Sequence, residues 1–259
     1  MDIKTAIKEG TNILKDNHIV SAQLDAELLL ASAIGESRKY IILNHNLPLE
    51  DKYLKSYKDL IKKRSLKKPI AYLINKKFFW NYEFFVNKST LIPRPDTELI
   101  IEKVLDLTKS KDKMRVLDIG VGSGCILLSI LKERKNFYGT GIDICKNCIK
   151  ISKINATKLS LSQRVKFFKS DVDKFFFGKY DLIVSNPPYI SKNNLKYLDN
   201  EIVDYEPIIA LNGGLDGLSE IRKVVKKSSE LIKKNGKLIL EIGFDQKNKV
   251  LKLLKKEGF

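Results

Sequence analysis

The chain has 259 residues, and 48 Lys and Arg against 31 Asp and Glu give it a formal net charge of +17. A hydrophobic fraction of 43% with 31% charged residues is typical of a folded globular protein and excludes an intrinsically disordered chain. The length predicts one or two domains. No apolar run reaches the roughly 18 residues of a membrane-spanning helix, and the N-terminus lacks the layout of a secretion signal, so we expect a cytoplasmic protein.

The positive charge raises the question of a nucleic-acid partner. Only seven of the 48 basic residues are Arg, and the lysines are spread over the whole chain. Recognition of phosphates and bases favours the planar guanidinium of Arg. We therefore interpret the lysines as a solvated surface and expect no specific nucleic-acid partner, although a weak attraction to RNA-rich assemblies stays open.

The three cysteines, Cys125, Cys145 and Cys148, are too few for a disulfide scaffold. The C-x-x-C pair has no thioredoxin-like surroundings, and the two histidines, His18 and His45, lie far upstream of it. We therefore expect no metal site and interpret the cysteines as small buried side chains in the first turn of a helix.

Residues 1–72 are predicted to form a small helical domain. One helix is predicted within residues 21–35, where a Ser can cap the start and a Gly follows the end. A second is predicted over residues 48–65, with Pro near its start. The side chains predicted to be buried are Leu24, Leu28 and Ala31 in the first helix and Leu54, Tyr57, Leu60 and Ile61 in the second.

Residues 73–90 are predicted to be a linker, because aromatic side chains on both sides of a polar step predict a β-hairpin from Phe78 to Val86. In residues 91–259, after a helix that begins near Glu98, strands alternate with helices, which predicts a Rossmann-like α/β domain with a parallel sheet. The predicted strands are 114–119, 137–142, 165–168, 181–185 and 237–242, with helices at 125–134 and 146–158. Ligands of such a sheet bind at the carboxyl ends of the strands.

The first of these strands runs into a glycine-rich loop. Its glycines alternate with other residues, which permits a tight turn and a close approach of a ligand to the backbone. The spacing lacks the G-x-x-G tail of a dinucleotide fingerprint. The loop residues predicted to bind a cofactor are Gly120, Val121, Gly122, Ser123 and Gly124.

Acidic residues stand near the ends of the first three strands. Asp118 precedes the glycine loop, Asp143 follows the second strand, and Asp171 follows the third. Asp143 can accept hydrogen bonds from both ribose hydroxyls, and Asp171 can accept one from an adenine amino group, with Val172 near the ring. This set suits a ribose, an adenine and a cationic tail better than a pyrophosphate, so S-adenosylmethionine is the predicted cofactor.

The fourth strand ends in the sequence Ser-Asn-Pro-Pro-Tyr-Ile at residues 185–190, where two prolines prevent the strand from continuing. The side-chain carbonyl of Asn186 and the backbone carbonyl of Pro187 can accept both hydrogens of a planar –NH2 group, and Tyr189 can stack on it. Such a nitrogen is a poor nucleophile, and two carbonyls stabilise the positive charge it develops during methyl transfer. We predict Asn186, Pro187 and Tyr189 as catalytic, Pro188 as a further substrate contact, and Asn186 as a cofactor contact as well.

These motifs resemble class I S-adenosylmethionine-dependent methyltransferases that act on planar amino nitrogens. Three further features narrow the resemblance to one family within this class. They are residues 91–98 (Leu-Ile-Pro-Arg-Pro-Asp-Thr-Glu), residues 206–218 and the helical domain that precedes the methyltransferase domain. Together they are similar to the HemK/PrmC family, the N5-glutamine methyltransferases of peptide chain release factors. The resemblance covers nearly the whole chain.

The resemblance implies that the substrate is the glutamine of the Gly-Gly-Gln motif in class 1 release factors, whose modification tunes translation termination. It also implies that the N-terminal helices contact the body of the release factor. We expect the protein to be a monomer and to have no membrane partner. Two departures stand out. Asn75 occupies a position where the family usually has Gly. The family normally continues after the last helix into an antiparallel strand, so either that strand is absent or the chain is truncated, and an open sheet edge would then be a stability liability.

Two other functions stay open. A DNA or RNA adenine methyltransferase uses the same chemistry on an adenine amino group, but it must flip the base out of its stack. The chain shows no separate target-recognition domain for that task. A non-catalytic adenosine-binding protein is the other alternative, and the intact Asn-Pro-Pro-Tyr sequence disfavours it.

Overall fold

The computed structural model describes all residues from 1 to 259. They form two compact units, one made of residues 1–76 and 200–205, the other of residues 77–199 and 206–259. The helices are α1 (Ile3–Asp16), α2 (Ala22–Ile34), α3 (Arg38–Leu43), α4 (Asp51–Ser65), α5 (Ile70–Ile74), α6 (Glu98–Leu107), α7 (Cys125–Glu133), α8 (Lys146–Lys158), α9 (Asn200–Val203), α10 (Ser219–Leu231) and α11 (Lys247–Lys256). The strands are β1 (Lys76–Phe79), β2 (Tyr82–Phe85), β3 (Arg115–Ile119), β4 (Tyr138–Asp143), β5 (Val165–Lys169), β6 (Tyr180–Ser185) and β7 (Ile232–Leu240). None of the helices has the length and apolar character needed to cross a membrane.

The first unit is helical, as predicted. Helix α2 ends at Gly35, whose φ of +85° places it in the left-handed conformation that glycine adopts without strain. Ser21 precedes the helix, but its hydroxyl donates to Oδ1 of Asp25 at 2.9 Å and caps no backbone N–H. Helix α4 begins at Asp51, three residues after the predicted Pro48, which instead forms an isolated β-bridge with Asp2.

The predicted buried face of α2 is wrong in part. Leu24 is 43% exposed, whereas Asp25 is 2% exposed. Most side chains of α2 are apolar around its whole circumference, so apolar spacing does not select a face. The buried side is decided by Arg64 of α4, whose Nε donates to Oδ2 of Asp25 at 2.6 Å. A charged residue is buried because a partner from another helix compensates it. In α4 the predicted Tyr57 and Ile61 are buried.

Residues 200–205 belong to the helical unit through polar contacts. Nη1 of Arg64 donates to Oε1 of Glu201 at 2.9 Å, and the Tyr205 hydroxyl donates to the carbonyl of Leu66 at 2.7 Å. Arg64 therefore joins two carboxylates, of which the Asp25 side chain is almost fully buried. Removing one member of such a group leaves an uncompensated charge.

The predicted hairpin from Phe78 to Val86 is confirmed as the pair β1 and β2. Its Phe79 and Phe84 lie edge to face, with ring centroids 6.2 Å apart, in the core of the second unit. Asn75, which stands where the family usually has Gly, has a φ of +55°. Asn is one of the few other residues that adopt the left-handed conformation readily, so the departure is compatible with the turn before β1.

The second unit has the predicted Rossmann-like α/β architecture. Its five strands are all parallel, in the order β5-β4-β3-β6-β7. Strand β7 begins five residues before the predicted 237, and its pairing with β6 shifts register between Tyr180 and Leu182. Strand β3 pairs with β4 on one side and with β6 on the other, so the connections that leave β3 and β6 run in opposite directions and the topological switch point lies between these two strands. The glycine loop and the Asn-Pro-Pro-Tyr sequence follow β3 and β6, so both lie at this point.

Candidate active site

A cavity of about 540 Å³ opens at the carboxyl ends of the strands in the second unit. Ten predicted site residues line it: Gly120, Val121, Gly122, Ser123, Asp143, Asp171, Val172, Asn186, Pro187 and Pro188. Gly124 and Tyr189 do not line it. The fold therefore brings the first four residues of the glycine loop, Asp143, Asp171 and the Asn-Pro-Pro sequence to one cavity.

The glycine loop forms an open cradle on this cavity. Gly120 and Gly122 have φ values of +78° and +55°, a conformation that L side chains rarely adopt. A Cβ built on Gly120 meets no protein atom within 4 Å, and one built on Gly122 meets only a carbonyl at 3.9 Å. The space beside this backbone is therefore open to a ligand, and the loop residues fit the predicted cofactor. Gly124 serves packing, because a Cβ there lies 3.0 Å from Cδ1 of Leu128.

Helix α8 holds the carbonyl groups of the loop. Oγ of Ser152 donates to the carbonyl of Gly122 at 2.8 Å, and Nδ2 of Asn155 donates to that of Ser123 at 2.8 Å. Ser152 and Asn155 are fully buried, so these bonds are shielded from water. Cys145 caps the start of this helix, and its Sγ accepts the backbone N–H of Cys148 at 3.5 Å. The interpretation of buried side chains in a first turn is therefore confirmed for Cys148, whereas Cys145 precedes the helix and is half-buried.

Asp143 connects β4 to the glycine loop. Its Oδ2 accepts the backbone N–H of Gly122 at 2.9 Å, and its Oδ1 accepts that of Cys145 at 2.8 Å. Burial raises the pKa of this carboxyl above its usual range, and the two N–H groups partly oppose that shift. Each carboxylate oxygen has a further lone pair, so Asp143 can accept ribose hydroxyls while it holds the loop.

The corner predicted to hold adenine contains two residues that sequence reasoning missed. Oδ1 of Asp171 accepts the backbone N–H of Asp173 at 3.0 Å, which shapes the turn after β5. Glu220 and Lys223 of α10 also line the cavity, and Nζ of Lys223 donates to Oε1 of Glu220 at 2.8 Å. This bond raises the pKa of Lys223, and the negative charge of Asp171 adds to the effect. No motif marks the pair, because a Glu and a Lys three residues apart are ordinary on a helix surface.

Asp118 does not line the cavity. It lies inside β3, is 0% exposed, and neither carboxylate oxygen has a hydrogen-bond partner. Burial raises its pKa to about 8, and the nearby N–H of Leu127 in α7 opposes the shift only in part. Of the three acids expected to face one ligand, Asp143 and Asp171 line the cavity and Asp118 does not.

The pKa of Asp118 predicts a pH-dependent stability. The carboxyl is neutral in the folded state up to about pH 8, and its usual value is 3.8, so the folded protein binds the proton more tightly than the unfolded chain does. The stability that this proton contributes to the fold is fully present below the pKa of the unfolded chain and is lost as the pH rises through the pKa of the folded state. Asn cannot ionise, so we expect the Tm of Asp118→Asn to exceed that of the wild type by a margin that grows as the pH is raised from about 5 to 9. The margin should reach several degrees, since each kcal/mol of stability shifts Tm by about 2–4 °C in a chain of this size.

Thermal melts of both proteins at each pH check this expectation, with Asp112→Asn at an exposed position as the matched control. A difference in melting temperature that stays constant across the pH range contradicts it.

The Asn-Pro-Pro-Tyr sequence is held at both ends. Oγ of Ser185 donates to the carbonyl of Ile119 at 2.6 Å, which ties the end of β6 to the end of β3. Nδ2 of Asn186 donates to Oγ1 of Thr97 at 3.1 Å. The Tyr189 hydroxyl donates to Oε1 of Glu241 at 3.0 Å, and burial and that carboxylate raise the pKa of Tyr189 to about 12. The stacking role of Tyr189 stays a prediction.

Sequence reasoning assigned no role to Thr97 or Glu241. Thr97 lies in the segment 91–98 that carried part of the family resemblance, and Glu241 follows β7. The backbone N–H of Glu241 donates to the carbonyl of Ser185 at 3.0 Å, which places it beside the end of β6. The predicted strand 237–242 contained Glu241, so the sequence did not mark it as an acid after a strand, and only the sheet order brings it beside the end of β6.

The two segments that narrowed the family resemblance contact each other. Oε2 of Glu206 accepts the backbone N–H of Ile92 at 3.0 Å, and its Oε1 pairs with the guanidinium of Arg94. The Glu206 side chain is 2% exposed. Arg94 and the residues that follow Glu206, 207–210, line the cavity, so this ion pair joins two parts of its wall.

Comparison with known proteins identifies the family of the chain. A model of the PrmC N-terminal domain matches residues 5–74, and a model of the methyltransferase small domain matches residues 95–205. The release factor glutamine methyltransferase of Clostridium acetobutylicum is 38% identical over 262 residues, which cover 100% of this chain and 92% of that protein. The chain belongs to the release factor glutamine methyltransferase family.

Other members show the same extent of similarity. The release factor glutamine methyltransferase of Buchnera aphidicola subsp. Acyrthosiphon pisum is 39% identical over 259 residues, covering 100% of this chain and 92% of its own. The release factor glutamine methyltransferase of Caulobacter vibrioides is 35% identical over 246 residues, which cover 95% of this chain and 85% of that protein. The predicted HemK/PrmC family is confirmed, and so is the prediction of a methyltransferase that uses S-adenosylmethionine.

Proposed function

We propose that this protein methylates the side-chain amide nitrogen of the glutamine in the Gly-Gly-Gln motif of class 1 peptide chain release factors. The observation that carries the proposal is the position of Asn186 and Pro187 on the cavity beside the glycine loop. The donor group of Asn186 is bound to Thr97, so its Oδ1 is available as an acceptor. The names of the relatives, which act on release factor glutamine, support the same substrate.

Within this proposal, each predicted site residue has a defined task. Gly120 to Ser123, Asp143 and the corner at Asp171 and Val172 hold the cofactor, which supplies an electrophilic methyl group when it is bound, and Gly124 packs against Leu128. Oδ1 of Asn186 and the carbonyl of Pro187 each accept one hydrogen of the glutamine –NH2. Pro188 and Tyr189 support the flat face of the amide.

Two acceptors at fixed positions explain how an amide can react. The nitrogen lone pair is delocalised into the neighbouring carbonyl, and hydrogen bonds from both N–H groups return electron density to nitrogen. Positive charge grows on nitrogen in the transition state, so the two carbonyl oxygens stabilise the transition state more than the bound substrate. The fixed distance between the Asn-Pro-Pro turn and the glycine loop orients the nitrogen toward the cofactor. The amide proton is released to water.

The organisation of the chain follows from the same proposal. Residues 1–72 recognise the release factor, residues 73–90 connect this domain to the next, and residues 91–259 catalyse the methyl transfer. We propose that the protein acts as a monomer in the cytoplasm, where release factors work, without a specific nucleic-acid partner.

The test is transfer of a radiolabelled methyl group. We expect label on a class 1 release factor and none on the variant whose Gly-Gly-Gln glutamine is replaced by Ala, because only that amide fits between the two acceptors. DNA and ribosomal RNA serve as parallel acceptors. Label on either nucleic acid but not on the release factor contradicts the proposal and favours an adenine methyltransferase.

A further inference from the structure

A chain of hydrogen bonds reaches from a carboxylate to the amide-binding side chain. Oγ1 of Thr97 donates to Oε2 of Glu241 at 2.6 Å, and Nδ2 of Asn186 donates to Oγ1 of Thr97 at 3.1 Å. On its other oxygen, Glu241 accepts the Tyr189 hydroxyl at 3.0 Å. Thr97 is 3% exposed, so water does not compete for its hydroxyl.

The direction of these bonds determines the orientation of Asn186. The side-chain amide of Asn has an oxygen that accepts and an –NH2 that donates, and the two ends have nearly the same shape. If the oxygen faces the substrate, it accepts a hydrogen of the glutamine –NH2. If Asn186 turns over, two –NH2 groups face each other, and no hydrogen bond forms.

Thr97 alone cannot choose between these orientations, since a hydroxyl can both donate and accept. Glu241 removes the ambiguity. An ionised carboxylate only accepts, so the single hydroxyl hydrogen of Thr97 is committed to it, and the Thr97 oxygen is left to accept. Only the –NH2 of Asn186 can satisfy that oxygen, which turns the Asn186 oxygen to the other side.

We propose that Thr97 and Glu241 are positioning residues that hold the Asn186 carboxamide with its oxygen toward the substrate amide. The inference rests on the proposed function for the identity of that amide. Neither residue needs to touch the substrate, because both act through Asn186. The same carboxylate holds Tyr189, so one acid orders two members of the Asn-Pro-Pro-Tyr sequence.

The first test measures the orientation itself. In a ¹⁵N-labelled protein the Asn186 side-chain –NH2 signals are assigned by their loss in Asn186→Asp. We expect their hydrogen exchange to be at least tenfold faster in Thr97→Val, which has the same shape without a hydroxyl, and close to the wild type in Thr97→Ser. Equal exchange in Thr97→Val and the wild type overturns the proposal.

The second test measures turnover on the release factor. We expect Thr97→Val and Glu241→Gln each to lower kcat about tenfold, the equivalent of one buried hydrogen bond, with cofactor Kd unchanged and activity largely restored in Thr97→Ser. Thr108→Val is the matched control, because it removes a buried hydroxyl that bonds Val104 and lies outside the cavity. In a protein that already carries Asn186→Ala, Thr97→Val should cause no further loss of kcat, because Thr97 acts only through Asn186.

The outcomes separate this inference from the proposed function. If the wild type labels no release factor, the proposed function fails, and the exchange measurement still decides the role of Thr97 and Glu241. If the wild type labels the factor and Thr97→Val does so at the same rate, the proposed function stands and the positioning role is wrong. An equal loss in Thr97→Val and Thr97→Ser, or in Thr108→Val, also overturns the positioning role, because it shows a general effect on stability.

Discussion

Asn186→Ala is expected to bring methyl transfer close to the limit of detection while cofactor binding stays nearly intact. The substitution removes one of the two acceptors that stabilise the charge developing on the substrate nitrogen. Loss of one group that binds developing charge in a buried site costs about 10²–10³ in rate. The glycine loop and Asp143, which we propose to hold the cofactor, keep all their hydrogen bonds in this variant.

Single-turnover methyl transfer and calorimetric titration with S-adenosylhomocysteine measure the two effects separately. Asn136→Ala is a suitable control, since Asn136 is exposed and bonds Asp112 outside the cavity. A loss of cofactor affinity as large as the loss of rate contradicts the prediction, because it indicates that Asn186 supports the structure of the site and not the reaction. Partial activity of more than a tenth of the wild type contradicts it as well.

Asp143→Ala is expected to weaken cofactor binding first, by about 10² or more, because hydrogen bonds to a charged group contribute about 1.5–3 kcal/mol each. The carboxylate is proposed to bind the ribose hydroxyls, and it already accepts the N–H groups of Gly122 and Cys145. Its removal therefore loses ligand contacts and loosens the cradle that presents them. At saturating cofactor the rate should recover much of its wild-type value.

Calorimetry on the wild type, Asp143→Ala and the exposed control Asp173→Ala checks this expectation. An unchanged dissociation constant in Asp143→Ala removes this residue from the cofactor site.

The ionisation of Asp143 should also make the affinity for the cofactor depend on pH. Burial raises the pKa of Asp143, so its charge is lost at a higher pH than for an exposed Asp. The charged form accepts the hydroxyls, and affinity should therefore fall as the pH is lowered through that raised value. The dependence should be absent in Asp143→Ala, and titrations at decreasing pH measure it.

Much of the site could be predicted from the sequence because the residues that form it follow strands directly. Asp143 is the last residue of β4, and Asp171 and Asn186 come within two residues after β5 and β6, while parallel strands place their carboxyl ends at one edge of the sheet. The glycine loop carries its own signal, since its positive φ values require glycine. Local chemistry and the rule for parallel sheets were sufficient for these positions.

The buried polar residues were less predictable. Burial of Asp25 instead of Leu24 depends on Arg64, which is 39 residues away, and the isolation of Asp118 depends on the helix that covers β3. A polar residue becomes favourable inside a protein only when another element supplies its partner, and the sequence pattern of one element does not contain that information.

The sequence by itself determined the family, the α/β architecture, the cofactor and ten of the residues that line the cavity. Only the tertiary structure decided the hydrogen bonds from Asn186 through Thr97 to Glu241, because these residues stand 89 and 144 positions apart in the chain. Periodicity and turn chemistry act over a few neighbouring residues, whereas the direction of a hydrogen bond depends on which groups the sheet order brings within 3 Å or so of each other. The orientation of the amide-binding side chain is therefore a property of the fold.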